Sequence, residues 1–256
     1  MGPTFTVTDS HCHLDELGNP ESVLTEADAA GVRRIVALSQ DRASMAAVLE
    51  LADRFPGQVL AGLGMHPCCV TDQCDDDVEA CLSFVAEHVG EICQVGEIGL
   101  DHKWATTPEL QRRQLEVLER YFDIAERHRK PVNLHSRRCE RQTLEQAISF
   151  TRRTGLGAQM HWFTQSKKLV SICNDEGIYV SVGPSIIRDE QATGVATGIG
   201  DELLLLESDA PVPIGGSPGH PRRIGEVVAK LAAIRGIEPE TMATLTEANL
   251  ARFLGA

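Results

Sequence analysis

Short apolar runs rich in β-branched residues recur along the chain and end at Asp9, Ser39, His66, Asp101, Ser136, Phe163, Pro184 and Pro211. Between consecutive runs the polarity pattern changes to a helical period. The clearest case is ELQRRQLEVLERYFDIAERHRK, Glu109 to Lys130, where Leu110, Leu115, Leu118, Phe122 and Ile124 can share one face. Pro108 suits the start of that helix, and Pro131 stops it before VNLHS opens the next run. Strand and helix therefore alternate. Eight such units in succession predict an α/β fold of the (β/α)8 kind, a TIM barrel.

The length of 256 residues fits one such barrel, so a single domain over 1–256 is expected. A doubly wound open sheet is the competing architecture, but it opens on a glycine-rich nucleotide turn, and DSHCHLDELGNP is not that turn. The Gly/Pro-rich loop APVPIGGSPGHP follows the last run and would lie on the rim where barrels carry their active sites. No tandem repeat or low-complexity linker interrupts the chain.

Polar residues gather where the runs end. His11 and His13 are two apart in extended chain, so they project together while Cys12 turns away. Glu97 follows on strand 4, His135 on strand 5, His161 on strand 6 and Asp209 on strand 8. A charge at the end of so apolar a run is costly to leave unpaired, and a shared cation satisfies several at once. Imidazoles and carboxylates from strands 1, 5, 6 and 8 are the donor set expected for a zinc-like divalent metal. With Glu97 the donors exceed one open tetrahedral site. They fit two divalent ions bridged by a carboxylate, a pair about 3.5 to 4 Å apart that serves displacement at phosphorus. Histidine-rich ligation leans toward zinc or manganese over magnesium.

Charge and cysteines narrow the field. A net charge of −13 disfavours wrapping long DNA, although a strand end needs only a local basic mouth. No run of about 18 apolar residues occurs, so no membrane span is expected. Met1 to Leu14 lacks the parts of a secretory signal, which makes the cytoplasm the default location. The eight cysteines then read as reduced thiols, and Cys68, Cys69, Cys74 and Cys81 lack the C-x-x-C pairs of a structural zinc site.

The motifs DSHCHLD, GMHP, GEIGLD, HSR, HWF and ESDAP occur in the order and at about the spacing of the TatD family of metal-dependent deoxyribonucleases, and the resemblance spans nearly the whole chain. It implies a (β/α)8 barrel and divalent-metal hydrolysis of DNA phosphodiesters, often from a 3′ end. Carried over by motif, His11, His13 and Asp209 hold one metal, His135 and His161 the other, and Glu97 bridges them. Glu97, Asp209 and His66 are the catalytic residues so implied. Asp209 also stands to accept a proton from water. His66 meets the substrate phosphate or assists proton transfer, the alternative being a histidine that only caps the turn at Pro67. The sequence departs from the family at Arg138-Cys139 after HSR, at Trp162 in HWF and at Gly219-His220-Pro221, all on the rim.

For the substrate, Arg137 suits a charge-assisted phosphate contact, with a pair to Asp101 as the alternative. Arg138 and Arg223 complete a predicted basic mouth, ahead of Arg141, Lys167, Lys168, His220 and Arg222, with about 2 to 4 phosphate contacts and a preference for single-stranded DNA ends, RNA remaining open. Trp162 and Trp104 are placed to stack on a base or to pack against the barrel. One rival is an amidohydrolase or phosphotriesterase acting on a small molecule; dinuclear members of that group generally present a lysine on strand 4, where this chain has Glu97. A second is a component active only with a protein partner in a multi-protein system.

Overall fold

Eight parallel strands, β1 (Val7–Cys12), β2 (Val32–Leu38), β3 (Val59–Leu63), β4 (Gln94–Asp101), β5 (Val132–Arg137), β6 (Ala158–Met160), β7 (Tyr179–Val182) and β8 (Leu204–Leu206), pair side by side in chain order in the computed structural model, which describes residues 3–164 and 166–255. Helices α1 (Pro20–Ala29), α2 (Arg42–Arg54), α3 (Pro67–Asp72), α4 (Asp75–His88), α5 (Pro108–His128), α6 (Glu140–Thr154), α7 (Lys167–Glu176), α8 (Glu190–Gly198), α9 (Ile224–Arg235) and α10 (Pro239–Leu254) fill the connections. This is the predicted TIM barrel. Strands walled on both faces read as continuous apolar runs, and every residue of β1 and β4 is buried.

The segment after β8 returns to β1 through two hydrogen bonds, Asp209 N–H to His11 carbonyl at 3.0 Å and His13 N–H to Ala210 carbonyl at 2.8 Å. Closure of the ring is thus what brings Asp209 beside the two histidines. No described helix is long and apolar enough to cross a membrane.

Several strand ends differ from the apolar pattern, in two directions. β1 runs past Asp9 to Cys12 and carries His11, whereas β3, β6, β7 and β8 stop short of His66, Phe163, Pro184 and Pro211. Backbone that leaves the ladder early is free to turn side chains onto the rim, which an apolar count does not register. On α5 the buried face is Gln114, Val117, Leu118, Tyr121, Phe122, Ile124 and Ala125, while Leu110 and Leu115 are only half-buried. Gln114 sits on that face because its amide ties two rim segments together. It accepts from Asp101 N–H at 2.9 Å and donates to the Pro67 carbonyl at 2.8 Å.

Candidate metal centre

Four donor atoms meet where β1, β4 and the turn after β8 converge. His11 Nε2 lies 3.3 Å from His13 Nε2, 3.6 Å from Glu97 Oε2 and 3.4 Å from Asp209 Oδ1. His13 Nε2 lies 3.3 Å from Glu97 Oε2 and 3.5 Å from Asp209 Oδ1. Metal–donor bonds of about 2.0–2.2 Å in a tetrahedron require donor–donor edges of about 3.3–3.6 Å. These separations match that edge length. Glu97 Oε2 is also buried with no hydrogen-bond partner among the described residues. The donor set fits a divalent cation.

The other oxygen of Glu97 turns the opposite way. Its Oε1 lies 2.8 Å from His135 Nδ1, 2.7 Å from His161 Nε2 and 3.7 Å from His66 Nε2. His135 Nδ1 is in turn 3.3 Å from His161 Nε2 and 3.2 Å from His66 Nε2. One carboxylate thus faces two groups of imidazoles. The backbone permits this approach at Gly99, whose φ is +144° and where a Cβ would stand 2.1 Å from the His135 carbonyl oxygen.

Outer hydrogen bonds set which ring nitrogen each histidine presents. His11 Nδ1 donates to Asn133 Oδ1 at 3.0 Å, and His13 Nδ1 donates to the Leu38 carbonyl at 3.0 Å. Both therefore aim an Nε2 lone pair at the cluster. His135 Nε2 donates to Asp101 Oδ2 at 3.1 Å and aims its Nδ1 lone pair. His66 is the reverse. Its Nδ1 accepts from the Cys68 backbone N–H at 3.1 Å, which leaves Nε2–H pointing inward as a donor. An inward N–H suits an anionic oxygen, not a metal.

The electrostatics agree. Burial pushes the Glu97 carboxyl up, but His161, His66 and His11 outweigh it and hold the group well below the carboxylate range. Asp209 is lowered in the same way by His13 and His11 against its burial. Burial, with His161 beside it, drives His11 down to about 3, so its imidazole is neutral. Burial opposes charge on His135, yet the bonds to Asp101 and Glu97 prevail and raise it to about 9. Against its burial, Asp209 and Glu97 likewise lift His13 well above the usual imidazole value, so the two ionised carboxylates make the cluster a site for positive charge for which protons and a divalent cation compete.

The cluster opens into a cleft of about 480 Å3, within the range of about 300–1,000 Å3 typical of ligand sites. His13, Glu97, His135, His161, Asp209 and His66 line it, and the fully buried His11 stands behind them. Arg137, Trp162 and Trp104 also line it. Arg138 and Arg223 do not. Arg138 is exposed, at φ +61°, with its N–H on Glu140 Oε1, and Arg223 is half-buried on a short turn with Glu226 3.8 Å away. The alternative pairing of Arg137 with Asp101 is not formed, because the Asp101 carboxylate accepts from His135 and from Lys103 N–H.

Sequence reasoning passed over three residues that organise the site. Asp101 orients His135, and Asn133 orients His11. Glu207 accepts from Trp162 N–H at 2.5 Å and from Ser181 Oγ at 2.7 Å, and holds Trp162 where its φ is +45°. Burial and the Asp209 charge push the Glu207 carboxyl well above the usual range. The signal for Asn133 was spacing, since it lies two residues before His135 on the same strand, whereas Glu207 lies beyond the end of β8, where strand alternation gives no guide.

The family described as TatD related DNase matches residues 8–255. The human protein named deoxyribonuclease TATDN3 is 28% identical over 257 residues, covering 95% of this chain and 92% of its own. YcfH of Escherichia coli K12, described as an uncharacterized metal-dependent hydrolase, is 29% identical over 259 residues, covering 96% and 95%. The crystal structure of YjjV, a TatD homolog from Escherichia coli K12, superposes with a TM-score of 0.86 at 26% identity and covers 98% of each chain. A dihydroorotase from Campylobacter jejuni superposes with a TM-score of 0.63 at 14% identity, covering 98% of this chain and 83% of its own, and shares the fold.

Proposed function

This chain belongs to the family of TatD-related DNases, and from that premise we propose that it is a dinuclear metal-dependent deoxyribonuclease working from the ends of single strands. The observation that carries the dinuclear reading is Glu97, whose Oε2 faces His11 and His13 while its Oε1 faces His135 and His161. In this reading His11, His13 and Asp209 hold one divalent ion, His135 and His161 the other, and Glu97 both. Zinc and manganese suit these donors better than magnesium. Such ions, when bound, polarise a phosphoryl oxygen and activate water for attack at phosphorus.

The chain's own groups supply the rest. His66 donates its inward Nε2–H to a phosphate oxygen, a direction fixed by the Cys68 N–H on its other nitrogen. Asp209 accepts the proton of the attacking water through its ionised carboxylate, which the neighbouring histidines keep charged. Arg137 sits at the cleft as a second anion contact. A glutamate at the strand-4 position, rather than lysine, favours this reading over a carboxylated-lysine amidohydrolase.

The test is an assay of zinc- or manganese-loaded protein on linear single-stranded DNA, circular single-stranded DNA, RNA and small esters, with metal content measured on the same samples. Two ions per chain and shortening of the linear DNA from an end are expected. One tightly held ion, or hydrolysis confined to small esters, overturns the proposal.

A further inference from the structure

Two turns on opposite sides of the cleft share one construction. After β4, Trp104 N–H bonds the carbonyl of Asp101 at 3.2 Å; after β8, Val212 N–H bonds the carbonyl of Asp209 at 2.9 Å. In each turn the carboxylate points in, to His135 at 3.1 Å or to His11 at 3.4 Å, and a large apolar side chain follows three residues later. Trp104 is 48% exposed and Val212 39%, and these are the large hydrophobic side chains left exposed among the described residues. Both line the cleft. In a ring of eight strands in chain order, β4 and β8 stand across the barrel from one another.

Isolated exposed apolar groups are ordinary, but a tryptophan at this exposure is not serving the core. Packing accounts for neither residue, since neither is buried. Cations gather on one side, while carboxylates line both, Glu140 at the start of α6 beside them and Glu16 opposite. Lys103, whose ammonium lies 5.0 Å from the Trp104 ring centroid, and Arg137, paired in register with Asp101, stand on the tryptophan side. Glu16 lines the cleft from beyond β1, next to the valine side. A flat aromatic face with an ammonium over it and a guanidinium on the next strand is the chemistry that holds a nucleobase and its phosphate.

Resting on the nuclease reading, we propose that Trp104 is the stacking platform for the nucleobase flanking the scissile phosphate, with Lys103 and Arg137 on that nucleotide's backbone and Val212 as the apolar edge across the cleft. The platform reads a π-face and not a base edge, so it tolerates every base. It confers selectivity for base-bearing strands over abasic ones.

Kinetics and fluorescence together decide it. Trp104→Ala raises KM on a single-stranded oligonucleotide about tenfold or more, and by less than about twofold on an oligonucleotide of the same length with abasic sugars at the cleaved end. Trp104→Phe keeps most of the wild-type KM. With a chelator present to stop cleavage, the base-bearing strand quenches wild-type emission more than that of Trp104→Phe, and the abasic strand quenches both equally. The chain holds only two tryptophans, so this difference reports Trp104. Equal KM changes on both strands, or no change, overturn the platform. If no oligonucleotide is cut the nuclease reading falls, and the quenching alone then decides: a Trp104-specific signal retains the platform, its absence removes it.

Discussion

His135 Nε2 lies 3.1 Å from Asp101 Oδ2, and that contact fixes the Nδ1 lone pair toward Glu97. Gln114 holds Asp101 in turn by accepting its N–H at 2.9 Å. Partners of this kind set ligand orientation and typically change metal affinity by about 10–100-fold when removed. Asp101→Asn should therefore weaken one of two zinc-binding steps by about that factor and leave the step at His11, His13 and Asp209 nearly unchanged. Competition against a chromophoric chelator measures both. Two unaltered steps would refute the role.

His66 and His135 touch at 3.2 Å but present opposite faces, a donor against a lone pair. His66→Ala is accordingly expected to lower kcat/KM on DNA by about 10²–10⁴-fold, the span of one proton-transfer or anion-stabilising group, with metal content intact. His161→Ala should lose metal as well as activity. Metal analysis of both purified variants separates the roles, and loss of an ion from His66→Ala would make it a ligand.

The barrel was legible because a parallel sheet covered by helices leaves no polar alternation to confuse the reading: β4, QVGEIGLD, is buried throughout. The six proposed donors were legible because charge at the end of an apolar run is conspicuous. What the sequence hid was direction. Arg223 lies on a segment that starts from the rim, yet a short turn at Pro221–Arg223 carries it away from the cleft. Arg138 is displaced by its own backbone, at φ +61°, although Arg137 beside it faces the cleft. Gln114 was invisible for another reason. It satisfies polar backbone from a helical position that periodicity reserves for apolar residues.

Glu97→Ala and Asp209→Ala should each abolish hydrolysis while the barrel stays folded, since the rim that carries them is separate from the layers that carry stability. Circular dichroism and a cooperative melt check the fold, and metal analysis should show fewer than two ions. More than a tenth of the wild-type rate in Asp209→Ala would exclude it as the proton acceptor.

His135 gives a pH signature. Its folded value of about 9 lies above the ordinary imidazole value of 6.5, so its contribution to stability is complete below about 6.5 and is lost as pH rises through 9. Cys68, drawn down to about 5 chiefly by its Cys69 hydrogen bond, titrates over part of the same range with opposite sign. A difference isolates the histidine. With chelator present, wild type should exceed His135→Gln in denaturation midpoint at pH 6.5, and the gap should close by pH 9. Zinc binding must expel that proton, so zinc affinity should climb over the same interval. A gap that widens with pH contradicts the assignment.

The last expectation concerns how a chain of net charge −13 holds a polyanion. Of Arg137, Arg138 and Arg223, only Arg137 lines the cleft, and Lys103 stands behind that lining, over the Trp104 ring. Two contacts on a single strand give a salt slope near 1.4 on logarithmic axes, at about 0.7 per phosphate, the low end of the range the sequence suggested. Arg137→Gln should remove about 0.7 of that slope, and Arg223→Gln should leave it alone. So few contacts cannot grip the middle of a strand against the long-range repulsion of an acidic surface. Linear single strands should then be shortened from an end while circles of the same sequence survive. Efficient cutting of circles, or a slope well above 2, would require a basic surface beyond the cleft.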